Sequence, residues 1–474
     1  MSLKVTPANP MFTTVLKSTL GRYVVYKNRV EFAREDLSRW HAIQPPYLIL
    51  ANHVNNLDPF WLGYFSKDPI HFVVSDEQYR NPVKRFFLRN LLGGIPKTKF
   101  ISDMDTIKGI LRLVKSGHAI GIFPEGMRTW DGRTGDIIES TSKLVKLLKI
   151  PVIACTLDGA HLAHPRWAIS GRRGKVTIRI QDIMDGETLK GMDVPSIHKW
   201  LTHALDHDEY AAQRSEPIRY KGEKLAEKLE RFLFACPHCD SITTLHSENN
   251  LLYCSECHYA VTYNEFGGFE PHTHELIFSN PRDWNTWQRD FLKLRLETRP
   301  EKEVIFSDHA MLYSADKQKP LEKRTDGVLT LTPEEIYFSE SGTSLHFPFR
   351  HIAGMNVQYS NELEFYFKDT LYRFKFSDSG ASAYKWTAAL ELKAASLPIK
   401  KYHDKRVGGI YGIDLAQRHG FSFYFALSRN GYLFKEIHSG TQSTFNSHFH
   451  CRRICRSDSR TRSPQYCPAQ YADA

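Results

Sequence analysis

Short apolar runs alternate with amphipathic stretches over residues 20–205 of the chain. Runs such as PYLILAN and PVIACTLDG are continuously apolar, as in strands that are buried on both faces of a sheet. Between such runs, TIKGILRLVKSG and TSKLVKLL place apolar residues at helical spacing. Strands that alternate with helices are typical of parallel sheets. The pattern therefore predicts an α/β domain over residues 20–205, with a mainly parallel sheet flanked by helices.

A different pattern covers residues 296–396. The runs GVLTLTPEEIYF, ELEFYF and LYRFKF alternate apolar and polar positions at strand period, and the helical stretch ASAYKWTAALELKAAS follows them. Several antiparallel strands followed by one helix are the layout of a pleckstrin-homology (PH) or GRAM-type barrel, which this region weakly resembles. We expect a mostly antiparallel, β-barrel-like domain here.

Three further segments complete the predicted organisation. Residues 1–19 are predicted to be an N-terminal helical segment, 206–231 a charged helical connector, and 400–474 a poorly ordered tail. The helical pattern of Met11–Val25 fits either a helix that lies on a bilayer surface or a helix packed on the first domain.

Composition narrows the choice of partners. A chain of 474 residues with 41% hydrophobic residues has the material for several globular domains, which excludes a disordered protein. The formal net charge of +10 favours an anionic partner: nucleic acid, a phosphorylated metabolite or an acidic membrane surface. The sequence contains no run of about eighteen apolar residues and no signal-peptide core. We therefore expect a cytoplasmic protein that is peripheral at the inner membrane surface.

Four cysteines fall into two C-x-x-C pairs, CPHC and CSEC, within residues 232–265. Their spacing is close to that of a zinc ribbon, in which two knuckles supply four thiolates to one structural zinc ion. The second pair argues against a redox C-x-x-C motif. Because basic and aromatic residues do not interleave beside the knuckles, we expect no nucleic-acid partner. The predicted ligands are Cys236, Cys239, Cys254 and Cys257.

Two polar clusters follow apolar runs in the first domain. The segment ANHVNNLDPFW contains His53 and Asp58, which by themselves fit either a capped turn or a general base with its orienting carboxylate. The segment FPEGMRT contains Glu125, Gly126 and Arg128, and an arginine at a strand end can grip a phosphate through two hydrogen bonds. A solvated turn with a local ion pair explains the second cluster equally well.

Taken together, the two clusters resemble the glycerolipid acyltransferase family, typified by 1-acyl-sn-glycerol-3-phosphate acyltransferase. The family pattern is N-H-x-x-x-x-D followed by F-P-E-G-x-R-[ST], and the stretches GIPKTKF and IPVIACTLDG occupy the expected positions between and after these motifs. The resemblance covers roughly residues 20–205, less than half of the chain.

The resemblance implies a role for each matched residue. His53 would deprotonate the acceptor hydroxyl, and Asp58 would orient and stabilise His53. Glu125 and Gly126 would shape the acceptor site, and Arg128 would bind the acceptor phosphate, with Lys99 at a position where the family more often has arginine.

The implied activity is transfer of a fatty acyl group from an acyl-CoA or acyl-carrier-protein thioester to a lysophospholipid. The default acceptor is 1-acyl-sn-glycerol-3-phosphate, which gives phosphatidic acid. The alternative is a catalytically silent lipid-binding or scaffold protein built on the same domain. Cys155 lies in an apolar run, which favours a core position over the role of a nucleophile.

Overall fold

The computed structural model describes residues 5–97, 104–316, 320–359, 361–368, 370–378 and 380–396. Lys99 and the predicted tail at 400–474 lie outside this part of the chain. In the described residues, the first sheet has seven strands in the order β1-β7-β6-β2-β5-β3-β4. They are β1 (Val30–Phe32), β2 (Leu48–Ala51), β3 (Ile70–Ser75), β4 (Ile95–Lys97), β5 (Ala119–Ile122), β6 (Val152–Asp158) and β7 (Val176–Met184). Only β6 and β7 pair antiparallel among the described strands of this sheet, which confirms the mainly parallel arrangement.

Helices cover both faces of this sheet, because its central strands are buried on both sides. In β2, Ile49 and Ala51 join the hydrophobic core on one face, whereas Leu48 and Leu50 join the core on the other. The helices are α1 (Pro10–Leu16), α2 (Arg22–Lys27), α3 (Arg34–His41), α4 (Asp58–Phe65), α5 (Pro82–Phe86), α6 (Met104–Lys115), α7 (Glu139–Leu148), α8 (Ala160–Ala163), α9 (Gly186–Gly191), α10 (Val194–Ala204) and α11 (Glu209–Ser215).

The N-terminal helix extends over the predicted stretch Met11–Val25. A π-helical segment, Lys17–Gly21, joins α1 to α2, and a second one, Phe87–Leu91, continues α5. Within the described residues, no helix has both the length and the apolar character needed to cross a bilayer.

The prediction of a helical connector over residues 206–231 is wrong. Only α11 and one 3-10 turn, Leu229–Arg231, are helical in this segment. Lys224 and Lys228 have φ angles of 53° and 72°, in the left-handed region that a right-handed helix excludes. The segment instead places Leu225 and Leu229 in the hydrophobic core of the second half of the chain.

A small antiparallel sheet carries the two cysteine pairs. Its strands are β8 (Leu245–Glu248), β9 (Leu251–Cys254), β10 (Ala260–Tyr263) and β11 (Phe269–Pro271), in the order β11-β10-β9-β8. A helix that the sequence analysis did not identify follows: α12, Pro281–Thr298. Asn280 caps it by accepting hydrogen bonds from two backbone N–H groups of the first turn.

As predicted, the C-terminal region consists of antiparallel strands followed by a helix, and its described residues form seven strands. The strand order is β15-β14-β13-β12-β18-β17-β16. The strands are β12 (Phe306–Asp316), β13 (Glu322–Leu331), β14 (Glu335–Glu340), β15 (Thr343–Pro348), β16 (Ile352–Gln358), β17 (Glu362–Phe367) and β18 (Thr370–Phe376), and the helix is α13 (Ala383–Ser396). The outer strands β15 and β16 are not paired with each other in the described residues, so the sheet is open there. One hydrophobic core unites this sheet with α12, α13 and the cysteine-bearing sheet.

Candidate active site

His53 lies in the loop between β2 and α4, where Asp58 begins the helix and Pro59 occupies its first turn. The Nδ1 atom of His53 is 2.9 Å from Oδ2 of Asp58. The same carboxylate oxygen accepts the backbone N–H groups of Val54 at 2.7 Å and Asn55 at 3.0 Å. Asp58 therefore organises the whole loop and fixes the imidazole ring within it.

The hydrogen bond assigns the tautomer of His53. Because the Asp58 oxygen already accepts two N–H groups, it acts as an acceptor, and Nδ1 of His53 is the nitrogen that donates to it. The Nε2 atom is then left with its lone pair. The Asp58 side chain is fully buried, whereas 21% of the His53 side chain is exposed, which gives a reactant access to the ring.

Several groups influence the pKa of His53. Burial lowers this pKa below its ordinary value of 6.5, and the positive charges of Arg128 and Arg166 lower it further. The Asp58 carboxylate acts in the opposite direction. Since the pKa remains lowered, the ring is neutral at pH 7 and Nε2 can accept a proton.

Glu125 connects the two sequence motifs. Its Oε1 atom accepts the backbone N–H of His53 at 2.6 Å, and Oε2 accepts the N–H of Gly135 at 2.7 Å. Burial raises the pKa of the carboxyl group to about 8, although both N–H donors act to lower it. Glu125 thus braces the loop that carries His53.

Gly126 is required by the conformation of this turn. Its φ angle is +73°, and a Cβ atom there would lie 2.7 Å from Cδ1 of Ile138. Any residue with a Cβ atom would therefore strain the backbone of this turn and force the end of the Ile138 side chain to move.

Two phenylalanines complete the support of the histidine ring, and the sequence analysis did not identify them. The His53 ring stacks on Phe123 with 4.3 Å between centroids and 18° between planes. Phe123 stacks in turn on Phe72 of β3, at 5.7 Å and 11°. Phe123 directly follows β5 within the FPEGMRT motif, so that motif already contained the signal for it.

Arg128 is half-buried beside this site, and burial lowers the pKa of its guanidinium. Its backbone carbonyl accepts a hydrogen bond of 2.9 Å from Nη1 of Arg166. Arg166 follows α8 and was not a candidate in the sequence analysis, because no local pattern distinguishes it. The structure thus brings together His53, Asp58, Glu125 and Arg128.

Residues 29–158, which include His53 and Glu125, match the protein-family model described as Acyltransferase. This segment belongs to the acyltransferase family. The acyltransferase domain is related to 1-acyl-sn-glycerol-3-phosphate acyltransferases, as two curated relatives indicate. One is the chloroplastic enzyme BAT2 of Brassica napus, and the other is the chloroplastic enzyme LPAT1 of Arabidopsis thaliana.

The similarity covers part of each protein. Both relatives are 25% identical over 150 residues, which are 31% of this chain and 42% of BAT2 or 40% of LPAT1. Among solved structures, the 1-acyl-sn-glycerophosphate acyltransferase PlsC of Thermotoga maritima is 16% identical, with a TM-score of 0.37. That likeness covers 44% of this chain and 81% of PlsC.

The second candidate site consists of the four cysteines. The Sγ atoms of Cys236, Cys239, Cys254 and Cys257 all lie within 4.8 Å of one another. The sulfurs of Cys236 and Cys257 are 3.7 Å apart, as are those of Cys239 and Cys254. Four sulfurs held about 2.3 Å from a zinc ion form a tetrahedron with edges of roughly 3.8 Å, so this group fits such an ion. Cys155 is buried in β6, away from the cluster.

Proposed function

We propose that the chain transfers a fatty acyl group from a thioester, acyl-CoA or acyl-carrier protein, to the hydroxyl of a lysophospholipid. The observation that carries this proposal is the hydrogen bond between His53 and Asp58, which fixes the ring and leaves Nε2 with its lone pair. This pair lies within an acyltransferase domain whose relatives are named as 1-acyl-sn-glycerol-3-phosphate acyltransferases.

In the proposed reaction, Nε2 of His53 takes the proton of the acceptor hydroxyl. The oxygen attacks the carbonyl carbon of the thioester and forms a tetrahedral intermediate, while Asp58 stabilises the imidazolium. When the intermediate collapses, the carbon–sulfur bond breaks and the imidazolium returns its proton to the thiolate. The products are the ester and the free thiol, and no acyl-enzyme is required.

The proposed acceptor is 1-acyl-sn-glycerol-3-phosphate, and the product is phosphatidic acid. Arg128 supplies a positive charge near His53, which suits an acceptor that carries a phosphate group. Glu125 and Gly126 hold the loop between the two motifs in shape. Lys99 remains a candidate for a second phosphate contact and lies outside the described residues.

The remaining parts of the proposal concern the other modules. Cys236, Cys239, Cys254 and Cys257 would hold a structural zinc ion, and the cysteine-bearing sheet would be a zinc ribbon. The C-terminal sheet with α13 would be a PH- or GRAM-like module. We place the protein in the cytoplasm, peripheral at the inner membrane surface, where its lipid substrates reside.

A direct assay tests the activity. Purified protein is incubated with acyl-CoA or acyl-carrier protein and a panel of lysophospholipids, and the products are identified by mass spectrometry. We expect phosphatidic acid from the phosphate-bearing acceptor. His53→Ala is the matched control: it should retain the circular dichroism spectrum and metal content of the wild type but lose turnover. Near-normal turnover by this variant would rule out the mechanism, and no transfer by the wild type would favour the silent scaffold.

A further inference from the structure

Arg166 connects the active-site loop to the C-terminal sheet. It is 8% exposed, and its two terminal nitrogens donate to two backbone carbonyls. Nη1 donates to Arg128 at 2.9 Å, and Nη2 donates to Val357 of β16 at 3.1 Å. A single planar guanidinium therefore sets the distance between Arg128 and a strand of the second half of the chain.

Trp130 reinforces this connection. The Arg166 guanidinium lies 4.3 Å from the centroid of the Trp130 ring, a cation–π contact. Trp130 stacks on Phe232 at 6.1 Å and 11°, and its ring is 4.8 Å from that of Tyr384 in α13. Trp130, two residues after Arg128, thus packs against the hydrophobic core of the C-terminal half of the chain.

A second contact joins the C-terminal sheet to the same edge of the first sheet. Gln358, at the end of β16, donates to Glu77, which follows β3, and also to Glu364 of β17 at 2.9 Å. Arg80 lies 3.7 Å from Glu364. Because β3 and β2 run in the same direction, residues after β3 lie at the edge where His53 follows β2.

The positive charges of Arg128 and Arg166 at this edge favour a bound anion. Burial lowers the pKa of Arg166, and the charge of Arg128 lowers it further because the two guanidiniums repel each other, whereas Glu391 and Tyr384 act in the opposite direction. Neither guanidinium forms an ion pair with a carboxylate among the residues that the structure describes. A phosphate bound by Arg128 would offset this repulsion.

We propose that Arg166 is a positioning residue for the acceptor phosphate: it holds Arg128 in place and makes the C-terminal sheet part of the acyltransferase site. This inference rests on the proposed function. The acyltransferase domain alone would then lack the support that Val357 gives to Arg166, and the second half of the chain is required for acceptor binding.

The test compares three substitutions in the full chain. Arg166→Lys keeps the charge but loses the planar two-point contact, and Arg166→Met loses both. Arg172→Met is the matched control, because Arg172 is equally buried, donates to the Leu225 carbonyl and the Tyr263 hydroxyl, and stacks on Trp167 without touching Arg128. We expect KM for lysophosphatidate to rise about tenfold in both Arg166 variants, with a smaller change in kcat and in KM for a neutral monoacylglycerol.

A pH profile separates the role of charge from that of geometry. Four ionisable side chains face His53. They are Asp58 of α4, Glu125 and Arg128 of the loop after β5, and Arg166, which follows α8. Removing the Arg166 charge should raise the pKa of His53, so the acid limb of kcat/KM moves to higher pH in Arg166→Met. In Arg166→Lys the acid limb should stay near that of the wild type although KM remains raised.

Two results would overturn the inference: equal KM for lysophosphatidate in Arg166→Lys and the wild type, or an equal rise in Arg172→Met. Should Arg166→Met fail to fold, Arg166→Lys carries the test. Binding of lysophosphatidate to His53→Ala protein, measured by calorimetry with and without Arg166→Lys, needs no turnover. If the wild type transfers no acyl group, the proposed function is refuted. Weaker binding of lysophosphatidate in the Arg166→Lys protein would still support the role of Arg166.

Discussion

Glu125 accepts the backbone N–H of His53 at 2.6 Å, although 72 residues separate the two in sequence. This hydrogen bond joins the end of β2 to the end of β5, which are paired parallel strands. It gives a physical reason for the occurrence of both motifs in one domain: the second motif holds the loop that carries the candidate base.

The first prediction concerns this bond. Glu125→Gln should lower kcat clearly while the protein remains folded, because the two oxygens of the carboxyl group each accept an N–H group and an amide has only one oxygen. One of the two backbone N–H groups, that of His53 or that of Gly135, would then face an NH₂ group and lose its acceptor. Turnover and thermal unfolding measure the two effects. Glu139→Gln, which changes a half-buried ion pair with Lys143 in α7, is the control; equal activity in both variants would contradict the bracing role.

The second prediction concerns the partner of His53. Asp58→Asn should reduce kcat by a factor on the order of 10²–10⁴, because the amide oxygen can still accept the loop N–H groups but the negative charge that stabilises the imidazolium is lost. Steady-state kinetics on protein with an unchanged circular dichroism spectrum provides the measurement. Wild-type kcat in this variant would remove Asp58 from the mechanism. Asp290→Asn, on the surface of α12, serves as the control.

The third prediction is the pH dependence. A base must be neutral to accept a proton, so activity should rise with pH through the pKa of His53 and then level off. Because this pKa is lowered, the midpoint of the acid limb of kcat/KM should lie below pH 6.5. Asp58→Asn should move the limb to still lower pH, since Asp58 raises the pKa. A limb centred above 6.5 would argue against His53 as the base.

The fourth prediction concerns the metal. Purified protein should contain one zinc ion per chain by elemental analysis, and Cys254→Ser should lose most of it and unfold at a lower temperature, because metal binding contributes to folding. Cys155→Ala, at a buried cysteine outside the cluster, is the matched control and should retain the ion. Full zinc content in Cys254→Ser, or zinc loss in Cys155→Ala, would contradict the assignment.

The errors of the sequence analysis have a physical cause. The stretch KGEKLAEKLERFLF has helical spacing of charges, and yet Lys224 and Lys228 adopt left-handed backbone conformations. There, burial of Leu225 and Leu229 in the core of the C-terminal half outweighs local helix preference. The helix α12 was missed although Asn280 and Pro281 form a recognisable start signal.

The sequence by itself determined the features that depend on neighbouring residues. The spacing of His53 and Asp58 in one loop, the continuously apolar strands and the two C-x-x-C pairs are local patterns, and local patterns restrict local geometry. Only the tertiary structure decided that Arg166 touches both Arg128 and Val357, which lies 191 residues away. Such a contact depends on how the acyltransferase domain packs against the C-terminal half of the chain. The spacing of apolar and polar residues predicts local structure and does not specify that packing.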